Sequence, residues 1–226
     1  MRKFIILTAL LLSGAAHALS LDQLTSSDAT AGLKEALTQG AGKAVDMLGK
    51  ENGFLGNPKV RIPLPDKLNK AGKMMRSVGL GRQVDELETT LNRAAEAAVP
   101  EAKKLLVDAI RNMSVQDVKG ILTGGNNSAT EYFRRTTSGP LGDRFRPIVQ
   151  QAIARVKLAE QYDKFAGSAA RFGLISKEDS TLDGYVTNKA LDGLFMMMAE
   201  EEKAIRENPL SAAGSLAQKV FGVLRN

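Results

Sequence analysis

Leu182 to Asn208, LDGYVTNKALDGLFMMMAEEEKAIREN, is the stretch whose reading decides the fold. Leu182, Tyr185, Val186, Ala190, Leu194, Met197, Met198 and Ile205 recur with the period of one buried stripe on an α-helix. Ser180 and Asp183 have the spacing that satisfies the first free N–H groups of such a helix. Asn208-Pro209 ends it, because proline disfavours helical geometry in the residue before it. Between Met198 and Ile205 the stripe passes through Glu201 or Glu202. A carboxylate on a core-facing stripe must be paired, protonated or turned to water, since an unpaired buried charge is costly. Two readings stay open here: a rim carboxylate bonded to an arginine of a neighbouring helix, or a functional acid in a pocket.

The same periodicity runs outward through the chain. Ala29 to Gly49 places Leu33, Leu37, Ala41, Ala44, Val45 and Leu48 on one face, and Gly32, Gly40 and Gly42 point to close packing against another backbone. Asp66 to Val78 reads as a short helix ended by Gly79-Leu80-Gly81. A long stripe from Val84 through Leu91 and Ala98 to Met113 crosses Val99-Pro100, which predicts either one kinked helix or two helices meeting there. Within it Arg93 and Glu96 are expected as a surface ion pair. Ser114 with Asp117 and Ser128 with Glu131 repeat the capping spacing.

Ser138-Gly139-Pro140 separates the run Tyr132 to Thr137 from a further helix after Pro147, which carries Ile148, Ala152, Val156, Ala159 and Tyr162. Phe165 to Ile175 follows, and Leu216, Val220, Phe221 and Leu224 dock a last helix. The irregular segment Glu51 to Pro65 holds turn signals around Lys59 to Ile62, read as one short extended piece. Its Phe54-Leu55 serves as a plug onto the core or as an exposed contact. No sustained alternation marks a sheet. The expected fold is all-α: a single multi-helix domain of about eight or nine helices.

The chain starts with Arg2 and Lys3, an apolar run from Phe4 to Leu12, and Ala16-His17-Ala18. That pattern is a secretory signal peptide over residues 1–18, cleaved after Ala18, leaving one domain over 19–226. The expected location is the periplasm. No cysteine is present to carry a lipid anchor, and no later stretch is apolar enough to span a membrane.

Export has a chemical consequence, because His17 is the one histidine of the sequence and there is no cysteine. The mature protein then lacks imidazole and thiol, which excludes histidine-based nucleophilic triads and zinc sites built from His or Cys. Carboxylate chemistry remains. Removing Arg2 and Lys3 leaves 29 basic against 25 acidic side chains, interleaved, with no tryptophan. Nucleic-acid binding wants a basic stripe with stacking aromatics, and neither is visible. No metal or cofactor is implied.

The densest basic group is Arg134, Arg135, Arg144 and Arg146. It could hold an anionic envelope component through forked hydrogen bonds, or pair internally with Glu201, Glu202 and nearby carboxylates, the reading favoured here. The loop Thr123-Gly124-Gly125-Asn126-Asn127 ahead of a helix start is read as a turn and cap, although such a start can hold an anion.

With the segments laid out, several motifs stand together: Gly32-Leu33-Lys34-Glu35-Ala36-Leu37, Asn92-Arg93-Ala94-Ala95-Glu96, Ile121-Leu122-Thr123-Gly124 leading to Ala129 through Arg134, Tyr185-Val186-Thr187 with Gly193-Leu194-Phe195, Glu201-Glu202-Lys203 to Ile205-Arg206, and Lys219-Val220-Phe221-Gly222. On these the chain resembles a bacterial family of exported proteins catalogued as domain of unknown function 4197. The resemblance implies a signal-bearing, mostly helical envelope protein. Some relatives look like lipoproteins; the missing cysteine departs from that and favours a soluble form. The family supplies no catalytic residues to carry over.

The functional expectation is a non-enzymatic module that binds a partner protein or an apolar or anionic envelope ligand. Its rival is a carboxylate-based hydrolase of cell-wall glycan, with Glu201 or Glu202 as acid and Glu96 or Glu131 as base.

Overall fold

The computed structural model describes residues 26–77, 79, 81–154, 181–209 and 214–224. The leader, the helix face expected at Val156, Ala159 and Tyr162, the segment 165–175 and Ser180 lie outside these residues. Within them the order is α1 (Ser26–Leu48), α2 (Asp66–Ser77), α3 (Gly81–Ala98), a 3-10 turn (Val99–Glu101), α4 (Ala102–Arg111), α5 (Val115–Thr123), α6 (Ser128–Ile153), α7 (Leu182–Glu207) and α8 (Ser215–Leu224). No strand occurs among the described residues. Lys59 to Ile62, expected as an extended piece, is turn and irregular backbone.

The organising stripe of α7 is buried as the spacing predicts: Leu182, Val186, Ala190, Leu194, Met197, Met198 and Ile205 all face the core, and Tyr185 lies at its edge. The cap differs from the expectation. Thr181, not Ser180, is the N-cap, its Oγ1 accepting from the Gly184 N–H at 3.2 Å, while Asp183 accepts from Gln150 Nε2 at 2.8 Å. The long α6 is the main partner of α7, and α1 and α3 flank the pair.

The break expected at Ser138-Gly139-Pro140 does not exist. Phe133, Thr137, Leu141, Phe145, Val149 and Ile153 form an unbroken buried stripe through both Pro140 and Pro147. Those prolines lie on the solvent side, and the carbonyls they leave without an N–H partner belong to Thr136 and Asp143, both exposed residues. Packing of one face therefore overrides two local breakers. Among the described residues one helix therefore stands where a break was expected.

At Pro100 the stripe divides into two helices, α3 and α4. Pro100 occupies the first turn of the 3-10 segment, where its missing N–H costs nothing. Ser114 and Asp117 form a reciprocal capping box at the start of α5, and the hydrogen bonds from Ser114 hold the Asp117 carboxyl below its ordinary range. Phe54 is fully buried and plugs the loop 51–65 onto α7, its ring lying where a Cβ on Gly193 would be, 2.6 Å from that position.

α8 packs against α1 at Gly32. A Cβ there would lie 2.7 Å from both the Leu216 carbonyl oxygen and Val220 Cγ2. Gly32→Ala is expected to cost about 2 kcal/mol by overpacking. A lower thermal midpoint and earlier proteolytic release of α8 should follow; an unchanged midpoint would contradict this close approach.

Candidate functional site

Glu202 is the buried acid of the α7 stripe, 6% exposed. It does not pair with the arginine group of α6. Its Oε1 accepts from the Ala129 N–H at 3.0 Å, and its Oε2 accepts from the Thr130 N–H and the Thr130 hydroxyl, both at 2.9 Å. These N–H groups begin α6, so a carboxylate from α7 takes the place of a local cap. Arg206, one turn further along α7, donates to Oε1 from Nη2 at 2.9 Å and from Nε at 3.2 Å. The same Nη2 reaches the Ile121 carbonyl at 2.9 Å and Ser128 Oγ at 2.8 Å. The expected Ser128–Glu131 capping box is absent: Ser128 donates its hydroxyl to the Ile121 carbonyl, and α6 has no side-chain cap of its own. The anion place at this helix start is filled from inside the molecule.

Glu201 points the other way and pairs with Lys43 of α1 at 2.7 Å. Arg93 and Glu96 do pair, at 2.6 Å, but not as a surface couple. Glu96 is 4% exposed, and its Oε1 accepts from the Phe54 and Leu55 N–H groups, each at 3.0 Å. Arg93 spans to Glu51 and to Asn52 Oδ1, both at 3.1 Å. The Glu96 carboxylate holds the Arg93 guanidinium above its ordinary value, with burial acting in the opposite sense. Asn92 completes this anchor: it accepts from the Ile62 N–H at 2.8 Å and donates to the Ile62 carbonyl at 2.9 Å. Periodicity alone does not reveal Asn92 or Arg206. The available signals were an amide inside an apolar stripe and an arginine four residues after a glutamate.

The four arginines of α6 do not converge. Arg134 lies over the Phe195 ring at 4.9 Å and reaches Asp192 at 3.4 Å. Arg135 covers Tyr132 at 5.7 Å, and Arg144 and Arg146 are exposed further along the helix. The internal pairing with Glu201 and Glu202 expected for this group is therefore overturned, because the lysine of α1 and the arginine of α7 itself supply the counter-charges.

Between the start of α6, the middle of α7 and the loop from Lys59 to Pro63 lies a groove of about 500 Å³. Lys59, Arg61, Arg134 and Lys189 stand around it, with Glu131 and Asp192, and Met196 contributes apolar surface. Of the residues singled out from sequence, it brings together Arg134 and Glu131. Lys59, Arg61 and Lys189 were missed, being scattered in sequence. A larger, shallower recess of about 800 Å³ lies between α1 and the end of α7, walled by the Lys43–Glu201 pair.

A family model described as a protein of unknown function (DUF4197) matches residues 23–222. The chain belongs to that family. No curated protein and no solved structure matches it. In this DUF4197 chain the segments carrying the sequence resemblance hold the polar anchors just described: Asn92, Arg93 and Glu96 on α3, Ala129 and Thr130 on α6, Glu202 and Arg206 on α7. No described helix is long and apolar enough to cross a membrane.

Glu202→Gln removes the charge that satisfies Arg206 and turns an amide N–H₂ towards the start of α6. Breaking a buried pair of this kind is expected to cost about 3 kcal/mol, against under about 0.5 kcal/mol for Glu201→Gln at a largely surface pair. Urea unfolding of both variants checks the contrast, and equal losses would refute it.

Proposed function

We propose that this protein is a non-enzymatic binding module of the cell envelope, exported to the periplasm, that holds a small ligand with an anionic group. The observation carrying this reading is the groove between α6, α7 and the loop 59–63, where four cations border an apolar surface that includes Met196. A volume of about 500 Å³ falls in the range of small-molecule sites. Arginine and lysine side chains with stacked or flexible stems suit a carboxylate or phosphate group. Two of the groove's walls are fixed by buried anchors. Asn92 and Glu96 set the loop, and Glu202 sets the start of α6. A site on rigid supports binds without first ordering its own walls. Export and a periplasmic location rest on the leader pattern of residues 1–18.

The hydrolase reading gains no support from this geometry. A glycosidase needs two carboxylates whose oxygens reach the scissile bond. The Glu202 oxygens are spent on two N–H groups, a hydroxyl and a guanidinium. Those of Glu96 are spent on two further N–H groups and Arg93. Both acids hold the fold together.

Mass spectrometry of gently purified protein should find a co-purifying small anion. Arg134→Ala with Lys189→Ala is expected to reduce its occupancy several-fold while leaving the thermal midpoint within a degree or two, as for exposed substitutions. Recovery of the same ligand by the double variant would place it elsewhere and contradict the groove.

A further inference from the structure

Sorting the groove's polar groups by the bonds they already make separates the committed from the free. Lys59 is held by Glu200 at 2.7 Å. Arg61 gives Nε and Nη2 to Glu88 at 3.0 and 2.9 Å. Arg134 is stacked on Phe195 and touches Asp192 at the long distance of 3.4 Å. Three groups remain. Among the described residues, the Lys189 ammonium on α7 has the Tyr185 ring beside it, at 5.9 Å, and no ion-pair partner. The Glu131 carboxylate in the first turn of α6 is exposed and has no ion-pair partner among the described residues. The side chain of Asn127, just before α6, makes no cap hydrogen bond.

Among the described residues the groove's charges without an ion pair are thus one of each sign, Lys189 and Glu131, carried by two different helices that wall it. A simple anion would gain from Lys189 and be repelled by Glu131 and Asp192. A ligand carrying both signs satisfies both walls. The Asn127 amide lining the same groove offers a donor and an acceptor, the complement of a peptide unit. Met196, 45% exposed, supplies an unbranched thioether that adapts to varied side chains.

We infer that the groove takes a zwitterionic short peptide, with its carboxylate at Lys189 and its ammonium at Glu131. This deepens the reading above and rests on it, since it specifies what accompanies the anionic group. In the recess beside Lys43 the charges of Lys43 and Lys103 are already paired with Glu201 and Asp46, and the start of α6 is filled by Glu202.

The test is an amide-resolved NMR titration of the protein with trialanine, N-acetyl-trialanine, trialanine amide and inorganic phosphate. Trialanine should shift signals around 127–134 and 189–196. Each cap should weaken binding roughly fivefold, the worth of one part-exposed ion pair. In Glu131→Gln the acetyl cap should cease to matter, and in Lys189→Gln the amide cap should cease to matter. If the caps change nothing in the wild type, the inference is wrong. Phosphate shifting the groove while trialanine stays silent would also overturn it, yet leave the anion reading standing. Silence of the groove with all four probes would bring down both.

Discussion

The structure depends on how it pays for one buried carboxylate. Glu202 sits inside the helix packing, where an unsatisfied charge would cost several kcal/mol. It is tolerated because its oxygens receive the first free N–H groups of α6, a hydroxyl, and the guanidinium of Arg206. Charge-assisted bonds of this kind are about twice as strong as neutral ones. Arg206 then extends the contact to the last turn of α5 through the Ile121 carbonyl and to α8 through the Phe221 ring at 5.6 Å. One acid therefore fixes the relative positions of four helices. Glu96 repeats the device on the other side, where two loop N–H groups and Arg93 meet a carboxylate inside the α3 packing.

These anchors give the groove its shape. The loop 59–63 has no ladder of its own to define it. Asn92 supplies the pair of hydrogen bonds to Ile62 that a neighbouring strand would otherwise make. The α6 wall starts where Glu202 holds it. Of the residues singled out in sequence, Glu96 and Glu202 are supports, whereas Glu131 and Arg134 stand exposed in the groove between them. Of the acids considered for a hydrolase, Glu202 and Glu96 are the two whose oxygens the fold already uses.

Much of this was legible from periodicity. The α7 stripe and the capping box at Ser114 appear as read, while at Pro100 and Phe54 the structure chooses between two readings, taking two helices over one kinked helix and a core plug over an exposed contact. The errors have a common origin. Ser138-Gly139-Pro140 looks like a terminator because proline acts through its immediate neighbours, whereas the stripe from Phe133 to Ile153 acts through tertiary burial and wins. Arg93 and Glu96 look like a surface pair because sequence does not show that the loop 51–65 folds back over them. The arginines of α6 are expected to pair with Glu201, Glu202 and nearby carboxylates, but composition does not say which helix faces which, and of these carboxylates only Asp192 is reached, by Arg134, among the described residues. Partner choice is set in three dimensions, and the guanidinium that reaches Glu202 is that of Arg206 at i+4 on the same helix.

Hydrogen exchange at the Ala129 and Thr130 amides tests the central claim most directly. Both belong to the first turn of a helix, where backbone N–H groups lack intrahelical partners and ordinarily exchange by fraying. If the Glu202 carboxylate holds them, they should exchange only with global unfolding, as slowly as amides in the middle of α6. Exchange at the rate of the exposed loop amide of Gly125 would show that the carboxylate is not where the account puts it.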